Sequence, residues 1–409
     1  MNAKAQAATG MISKRASRSN PWYDRVDKPF LLRVIATAAV SVGLLIGTSP
    51  RAETRSGEID GYRYRLFVPE AEAPASARPL LVVLHGCQQS AEEMARLSRF
   101  DALAASRGFV ALYPETGPSV ANPYGCWRWW APENQLRKGG EPEAIVDMVS
   151  EASATTGVDP QRVYVVGLSS GGAMSAILGA LFPEIFAAVG VHSGMAYAAA
   201  SNGSCALRAQ SEGAVAAESR ATIAYNAQGR EHRPVPLMVI QGSEDNVVAP
   251  ENAGLLIQQF AQLNDLSDDG DGANQSIDAV PASTREDRIA EGRLFQTRVY
   301  HDTRGEEIMR EIMVEGMGHA WSGGPPGLDF SDPRGPDAAV LFWSFFENRS
   351  VKTPPLKIRQ VAECRERYGS NFAHYWWYGR MSREEYRCDP WRWTWRRGYE
   401  GEWTEGRCP

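Results

Sequence analysis

Beyond residue 52 the chain has no apolar run of membrane-spanning length, no C-x-x-C pair, no basic field and no internal repeat of 20–50 residues. Each absence removes a class. Without long apolar runs it is not a multi-pass membrane protein, since a spanning helix needs about 20 apolar residues. Without paired cysteines, or histidines at ligand spacing, a zinc site has no sequence support. Residues 53–409 carry a net charge of −12 within a total of −6. An acidic body of that kind is a poor partner for nucleic acid, where phosphate neutralisation supplies most of the affinity. The missing repeat argues against solenoids and propellers. What remains is a globular chain of 409 residues with 43% hydrophobic and 22% charged residues, long enough for one large domain plus additions.

The first 52 residues stand apart, with eight Lys/Arg against two Asp/Glu. Lys14, Arg15, Arg18, Arg25 and Lys28 precede an apolar run from Val34 to Thr48. A basic segment followed by about 15 apolar residues reads as a secretory signal; an uncleaved N-terminal membrane anchor is the alternative, and would be the chain's one membrane contact. Either places the rest outside the cytoplasm, secreted or periplasmic. Six cysteines, Cys87, Cys126, Cys205, Cys364, Cys388 and Cys408, suit an oxidising compartment, although six allow fifteen pairings.

From residue 53 to 350, short β-rich runs alternate with helical stretches. The runs are Leu80–Leu84, Phe109–Tyr113, Val163–Val166, Ala187–Val191 and Leu237–Ile240; helices are expected over Ala91–Ser106 and Ala144–Thr155. Continuous apolar strands between helices predict an α/β fold, a mostly parallel sheet covered on both faces. Residues 265–292 are polar and rich in Asp and Gly, without the spacing of an EF-hand loop, and read as a solvated excursion. A Pro-marked linker at Thr353-Pro354-Pro355 leads into 356–409, which holds half of the twelve Trp and half of the Cys. That tail is either a small disulfide-stapled subdomain with a Trp core, or an aromatic platform (Trp376, Trp377, Trp391, Trp393, Trp395) that adheres to a polymer or glycan.

Gly167-Leu168-Ser169-Ser170-Gly171 follows the run Val163–Val166 and precedes a helix-like stretch. In this strand–turn–helix setting the glycines allow close backbone approach, and Ser169 stands out from the sheet end as a nucleophile. A serine hydroxyl needs a base, and folds with such a turn supply an acid and then a histidine later in the chain. Asp245, just past the run Leu237–Ile240, is the candidate acid, with Glu244 its rival. His85 and His192 precede Asp245 and are excluded by order. His232, His301 and His374 lie in a cap-like segment, a strand end and the tail. His319, in the loop Gly316-Met317-Gly318-His319, is the candidate base. Backbone N–H groups of Cys87 and Ser170 are the candidate donors to the carbonyl oxygen.

With these residues in view, His85-Gly86-Cys87-Gln88-Gln89, Gly125-Cys126-Trp127-Arg128-Trp129-Trp130, Gly167-Leu168-Ser169-Ser170-Gly171-Gly172 and Gly318-His319-Ala320-Trp321 together resemble the polyhydroxybutyrate depolymerase-type esterases, which overlap with feruloyl and acetylxylan esterases. The resemblance covers roughly residues 55–349. It implies an α/β-hydrolase fold, Ser169, Asp245 and His319 as the triad, a Cys87–Cys126 disulfide, and a carboxylesterase without metal or cofactor. Its partner would be an ester, polymeric in the case of a poly(3-hydroxyalkanoate), with plant-polysaccharide esters as the alternative; a non-catalytic surface-binding protein is the reading from another class. Trp127, Trp129 and Trp130 are candidates to line the substrate cleft, against buried packing; Trp321 would shape the site beside His319. Gln135, Arg137 and Glu141 read as structural.

Overall fold

The computed structural model describes residues 52–70, 78–120, 122–213, 217–228 and 232–351. The N-terminal basic–apolar segment and the 356–409 region lie outside the described residues. Among those described, ten strands share one sheet: β1 (Glu53–Ile59), β2 (Tyr62–Val68), β3 (Arg78–Leu84), β4 (Val110–Glu115), β5 (Val158–Leu168), β6 (Ala188–His192), β7 (Leu237–Gly242), β8 (Ser283–Arg288), β9 (Leu294–His301) and β10 (Glu307–Val314). Their spatial order is β1-β2-β4-β3-β5-β6-β7-β10-β9-β8. The six central strands, β4-β3-β5-β6-β7-β10, pair in parallel. The flanking pairs are antiparallel. The helices are α1 (Ala91–Ser98), α2 (Phe100–Arg107), α3 (Gly140–Thr156), α4 (Ser170–Leu181), α5 (Gly203–Glu212), α6 (Ala217–Ala227), α7 (Glu251–Asp269) and α8 (Ala338–Phe346).

Alternation along the central strands divides the core into two layers, because successive side chains leave opposite faces. Leu80, Val82 and Leu84 of β3 and Val163 and Val165 of β5 pack with Ile145 and Val149 of α3, Ile177 and Leu181 of α4 and Phe260 of α7. Leu81, Val83, Tyr164 and Val166 pack on the other face, with Met94 of α1, Phe100 of α2 and Phe342 and Phe346 of α8. Both faces are dry, which is why these strands read as unbroken apolar runs. Truncating one such side chain to Ala costs about 2–5 kcal/mol.

Two elements differ from expectation. The helix expected over 91–106 breaks at Arg99, which takes a left-handed conformation with φ 59°. Tertiary contacts impose the break: the fully buried Phe100 meets Trp321 edge-on at 5.9 Å, and the Arg99 guanidinium donates to the Gly323 carbonyl at 2.8 Å. Within the polar excursion, Ser283–Arg288 forms the sheet-edge strand β8. Its Ser-Thr-Arg-Glu-Asp-Arg sequence has no apolar alternation, and charge of this kind guards an exposed edge against stray pairing.

Topology fixes where chemistry can sit. From β3 the chain moves outward to β4, then returns across β3 to β5. The carboxyl ends of β3 and β5 therefore flank a switch point, where an open parallel sheet leaves a crevice.

Candidate active site

Ser169 stands between β5 and α4 with φ 58° and ψ −118°. A non-glycine residue in that region carries on the order of 1–3 kcal/mol of strain, held here by packing around two glycines. A Cβ on Gly167 would lie 2.2 Å from the Gly171 carbonyl oxygen, and one on Gly171 would lie 2.4 Å from the Leu84 oxygen. Only bare backbone lets α4 start so close to β3 and β5. The Ser169 N–H donates to the His192 carbonyl at 2.9 Å. The first intrahelical bond of α4 runs from the Ala173 N–H to the Ser169 carbonyl at 3.0 Å, so the Ser170 N–H lies in the unsatisfied first turn.

The loop after β3 lies alongside, with a Cβ on Gly86 placed 3.4 Å from Ser169 Cβ. Its Gly86 N–H donates to Gln89 Oε1 at 2.8 Å and its Gln88 N–H to the Tyr124 carbonyl at 2.7 Å. Cys87 sits between these two anchored amides and forms a disulfide with Cys126. Cys205, on α5, is disulfide-bonded as well.

The loops after β7 and β10 pack on one another. A Cβ on Gly242 would meet the Met317 carbonyl oxygen at 2.2 Å, and the Glu244 N–H donates to that same oxygen at 3.0 Å. This brings Asp245 and His319 together: Asp245 Oδ2 lies 2.8 Å from His319 Nδ1. Asp245 Oδ1 accepts from the Val247 and Val248 N–H groups, each at 2.9 Å. Burial pushes the Asp245 carboxyl upward, but its hydrogen bond to His319, that ring's charge and the two backbone donors together hold it below the usual range. Glu244 is exposed. An ionised carboxylate on Nδ1 selects the tautomer protonated there and leaves Nε2 free to accept a proton.

Ser169, Ser170, Cys87 and His319 line one cleft of about 390 Å³. Trp129, Trp130, Met195, Leu207, Gln210, Val247 and Phe330 contribute to its wall. Trp127 and Trp321 are not part of that wall, unlike the cleft-lining place expected of Trp127. Both are buried beneath the site, where each supports a buried histidine: Trp127 lies 5.4 Å from His85 and Trp321 stacks at 5.0 Å on His192. Those histidines are spacers. His85 Nε2 accepts the Thr116 N–H at 3.1 Å and His192 Nε2 the Ser322 N–H at 3.1 Å. Burial lowers the pKa of both, that of His192 to about 3.

The segment after the tryptophans braces this wall. Glu141 accepts from the Arg128 N–H at 2.8 Å and Asn134 Nδ2 at 2.9 Å. Gln135 Nε2 donates to the Trp129 carbonyl, and its Oε1 accepts the Ala198 N–H at 3.0 Å. Sequence reasoning assigned no role to Gln241, whose Nε2 donates to Asp245 Oδ2 at 3.0 Å. The available signal was a glutamine inside an otherwise apolar strand, since buried polar groups need a reason. Among the described residues no group of three or more His, Cys, Asp or Glu is arranged to hold a metal ion.

A family profile described as "Esterase PHB depolymerase" matches residues 62–286, more than half of the chain. Poly(3-hydroxyalkanoate) depolymerase C of Paucimonas lemoignei is 29% identical over 314 residues, covering 76% of this chain and 70% of that protein. Feruloyl esterase B of Neurospora crassa is 36% identical over 137 residues, 33% of this chain and 45% of that one. Among solved structures, an acetyl xylan esterase from Aspergillus awamori superposes with a TM-score of 0.56 at 22% identity, covering 72% of this chain and 98% of its own. That likeness is one of fold.

Proposed function

Since the chain belongs to the PHB depolymerase esterase family and is a carboxylic ester hydrolase of the α/β-hydrolase fold, we propose that it is an exported serine esterase working through Ser169, His319 and Asp245 on poly- or oligo(3-hydroxyalkanoates). The observation that carries this reading is the 2.8 Å Asp245–His319 contact beside a cleft that also exposes Ser169.

In this mechanism His319 Nε2 takes the Ser169 proton as Oγ attacks the ester carbonyl, and the proton then passes to the departing alcohol. Asp245 holds the ring and stabilises its charged form. The oxygen that becomes negative lies between the Ser170 and Cys87 N–H groups. Donors fixed in advance at that position lower the barrier, each by about 3 kcal/mol. Water, activated by His319, then releases the acid from Ser169. The two disulfide-bonded regions, together with the basic and apolar N-terminal segment, support export.

The alignment with a poly(3-hydroxyalkanoate) depolymerase over 76% of the chain favours aliphatic polyester. Feruloyl or acetylxylan ester hydrolysis is the second reading, favoured by the edge-on pair Trp129–Trp130 in the cleft wall, which would suit an aryl acid. The deciding experiment is release of soluble 3-hydroxybutyrate from amorphous polymer by the purified chain, with Ser169→Ala as the blank. Ser169-dependent release supports the polyester. Turnover of methyl ferulate or acetylated xylan without polymer release moves the assignment to the second reading.

A further inference from the structure

One side chain of the loop after β3 has no part in the mechanism so far. Gln89 closes the motif His85-Gly86-Cys87-Gln88-Gln89 and lines the cleft. Its Oε1 accepts the Gly86 N–H at 2.8 Å. That bond decides which way the carboxamide is turned, because only its oxygen can accept from a backbone donor. Nε2 is then a pure donor, and it has no hydrogen-bond partner among the described residues.

The carboxamide is held near Ser169. A Cβ at Gly86 would lie 3.1 Å from Gln89 Oε1 and 3.4 Å from Ser169 Cβ. Both side chains thus border the space that this glycine leaves free. Gln88 bends the loop in a left-handed conformation with φ 63°, and Cys87 lies within the bend between Gly86 and Gln89.

We propose that Gln89 is a catalytic residue whose Nε2–H is a third donor to the ester oxygen, engaged when that oxygen becomes negative. This rests on the serine-esterase reading and on its two backbone donors.

Electron counting gives the reason. A carbonyl oxygen has two lone pairs, and the Ser170 and Cys87 N–H groups take them. As the bond from Ser169 Oγ to the carbonyl carbon forms, the π pair moves onto that oxygen and the Ser169 proton goes to His319 Nε2. The oxyanion then has three lone pairs. When the carbonyl re-forms, the bond to the alcohol breaks, the alcohol takes the proton from His319, and the third pair is withdrawn. A donor that meets only the third pair stabilises the transition state and not the bound ester, so it raises kcat and leaves KM alone. Because Gly86 already fixes the carboxamide, little side-chain freedom is lost in making that bond.

The test compares Gln89→Glu with Gln89→Met in the full chain on a soluble aryl ester. Glutamate keeps an oxygen for the Gly86 N–H and loses the donor; methionine loses both. Gln89→Met should lower kcat by about tenfold to a thousandfold with KM within about twofold of wild type. Gln89→Glu, which also sets a charge beside the oxyanion, should lower it at least as far. Wild-type kcat in Gln89→Met overturns the proposal. So does a loss confined to Gln89→Met, which assigns the side chain to holding the loop.

The second arm observes the bond itself by NMR of isotopically labelled glutamine. The Nε2 protons of Gln89 are those absent from the spectrum of Gln89→Glu. One of them should move downfield by about 1 ppm or more when a trifluoromethyl ketone adds to Ser169 and forms a tetrahedral oxyanion. An unmoved resonance overturns the proposal, and this arm decides it if Gln89→Met does not fold. A failure of the underlying reading looks different: wild type and Ser169→Ala would turn over the ester alike, the ketone would form no adduct, and the proposal would fall with the reading.

Discussion

Gln241 and His319 meet on a single oxygen of Asp245: Oδ2 receives Gln241 Nε2 at 3.0 Å and His319 Nδ1 at 2.8 Å. The amide also donates to the Val248 carbonyl at 3.1 Å, so it fixes the carboxylate against the turn that presents it. Hydrogen bonds to charged groups contribute about 1.5–3 kcal/mol. Gln241→Met should therefore lower kcat on a soluble aryl ester roughly tenfold to a hundredfold with KM little changed. A variant that keeps wild-type kcat would remove Gln241 from the machinery.

Asp245→Asn keeps the shape and loses the charge. On the precedent of other triads, kcat should fall by about 10⁴, while Glu244→Gln, at an exposed side chain, should stay within about twofold of wild type. The substitution also has a stability signature. Because the folded carboxyl lies below its ordinary value, the unfolded chain binds the proton more readily. The stabilisation is thus present above the unfolded pKa and fades as pH falls through the folded one. Denaturation curves of Asp245→Asn and wild type should differ at neutral pH and converge in acid.

Glu141 has the opposite sign. Burial raises its pKa to about 7, against the Arg128 N–H and charge that oppose the shift. The folded state then holds the proton more tightly than the unfolded chain, and stability falls as pH climbs from 4.5 through 7, by on the order of 3 kcal/mol. Glu141→Gln should flatten this slope when unfolding is followed in urea between pH 5 and 8. A slope unchanged in the variant would assign the pH dependence elsewhere.

Gly167→Ala tests the close approach beneath Ser169. With a methyl group 2.2 Å from the Gly171 oxygen, β5 and α4 must separate. The expected result is a cost of several kcal/mol, read as a lower Tm, together with loss of reaction with a serine-directed fluorophosphonate. Wild-type labelling in a stable Gly167→Ala chain would contradict the geometry.

The central strands were legible because burial on both faces leaves unbroken apolar runs. The serine turn was legible because its glycines are forced by backbone contact. Chain order then separated Asp245 and His319 from their rivals, and the structure brings those two side chains together. What the sequence concealed was orientation. Trp127 and Trp321 sit within one or two residues of cleft residues, yet strand and loop geometry turns both inward against histidines. The break at Arg99 is set by Phe100 and by Gly323, the latter more than 200 positions away. The edge strand β8 shows no alternation because neither of its faces is buried.

The two tryptophan-backed histidines have a consequence for proton traffic. Three imidazoles lie around the switch point, but burial keeps His85 and His192 uncharged, and a backbone N–H already occupies Nε2 of each. In the proposed mechanism a proton leaving Ser169 thus has one address, His319, and cannot be stranded on a neighbouring ring. The same two rings fill the volume beneath the crevice without offering a rival base, so the site gains rigidity from histidine while the proposed acid–base chemistry stays with a single residue.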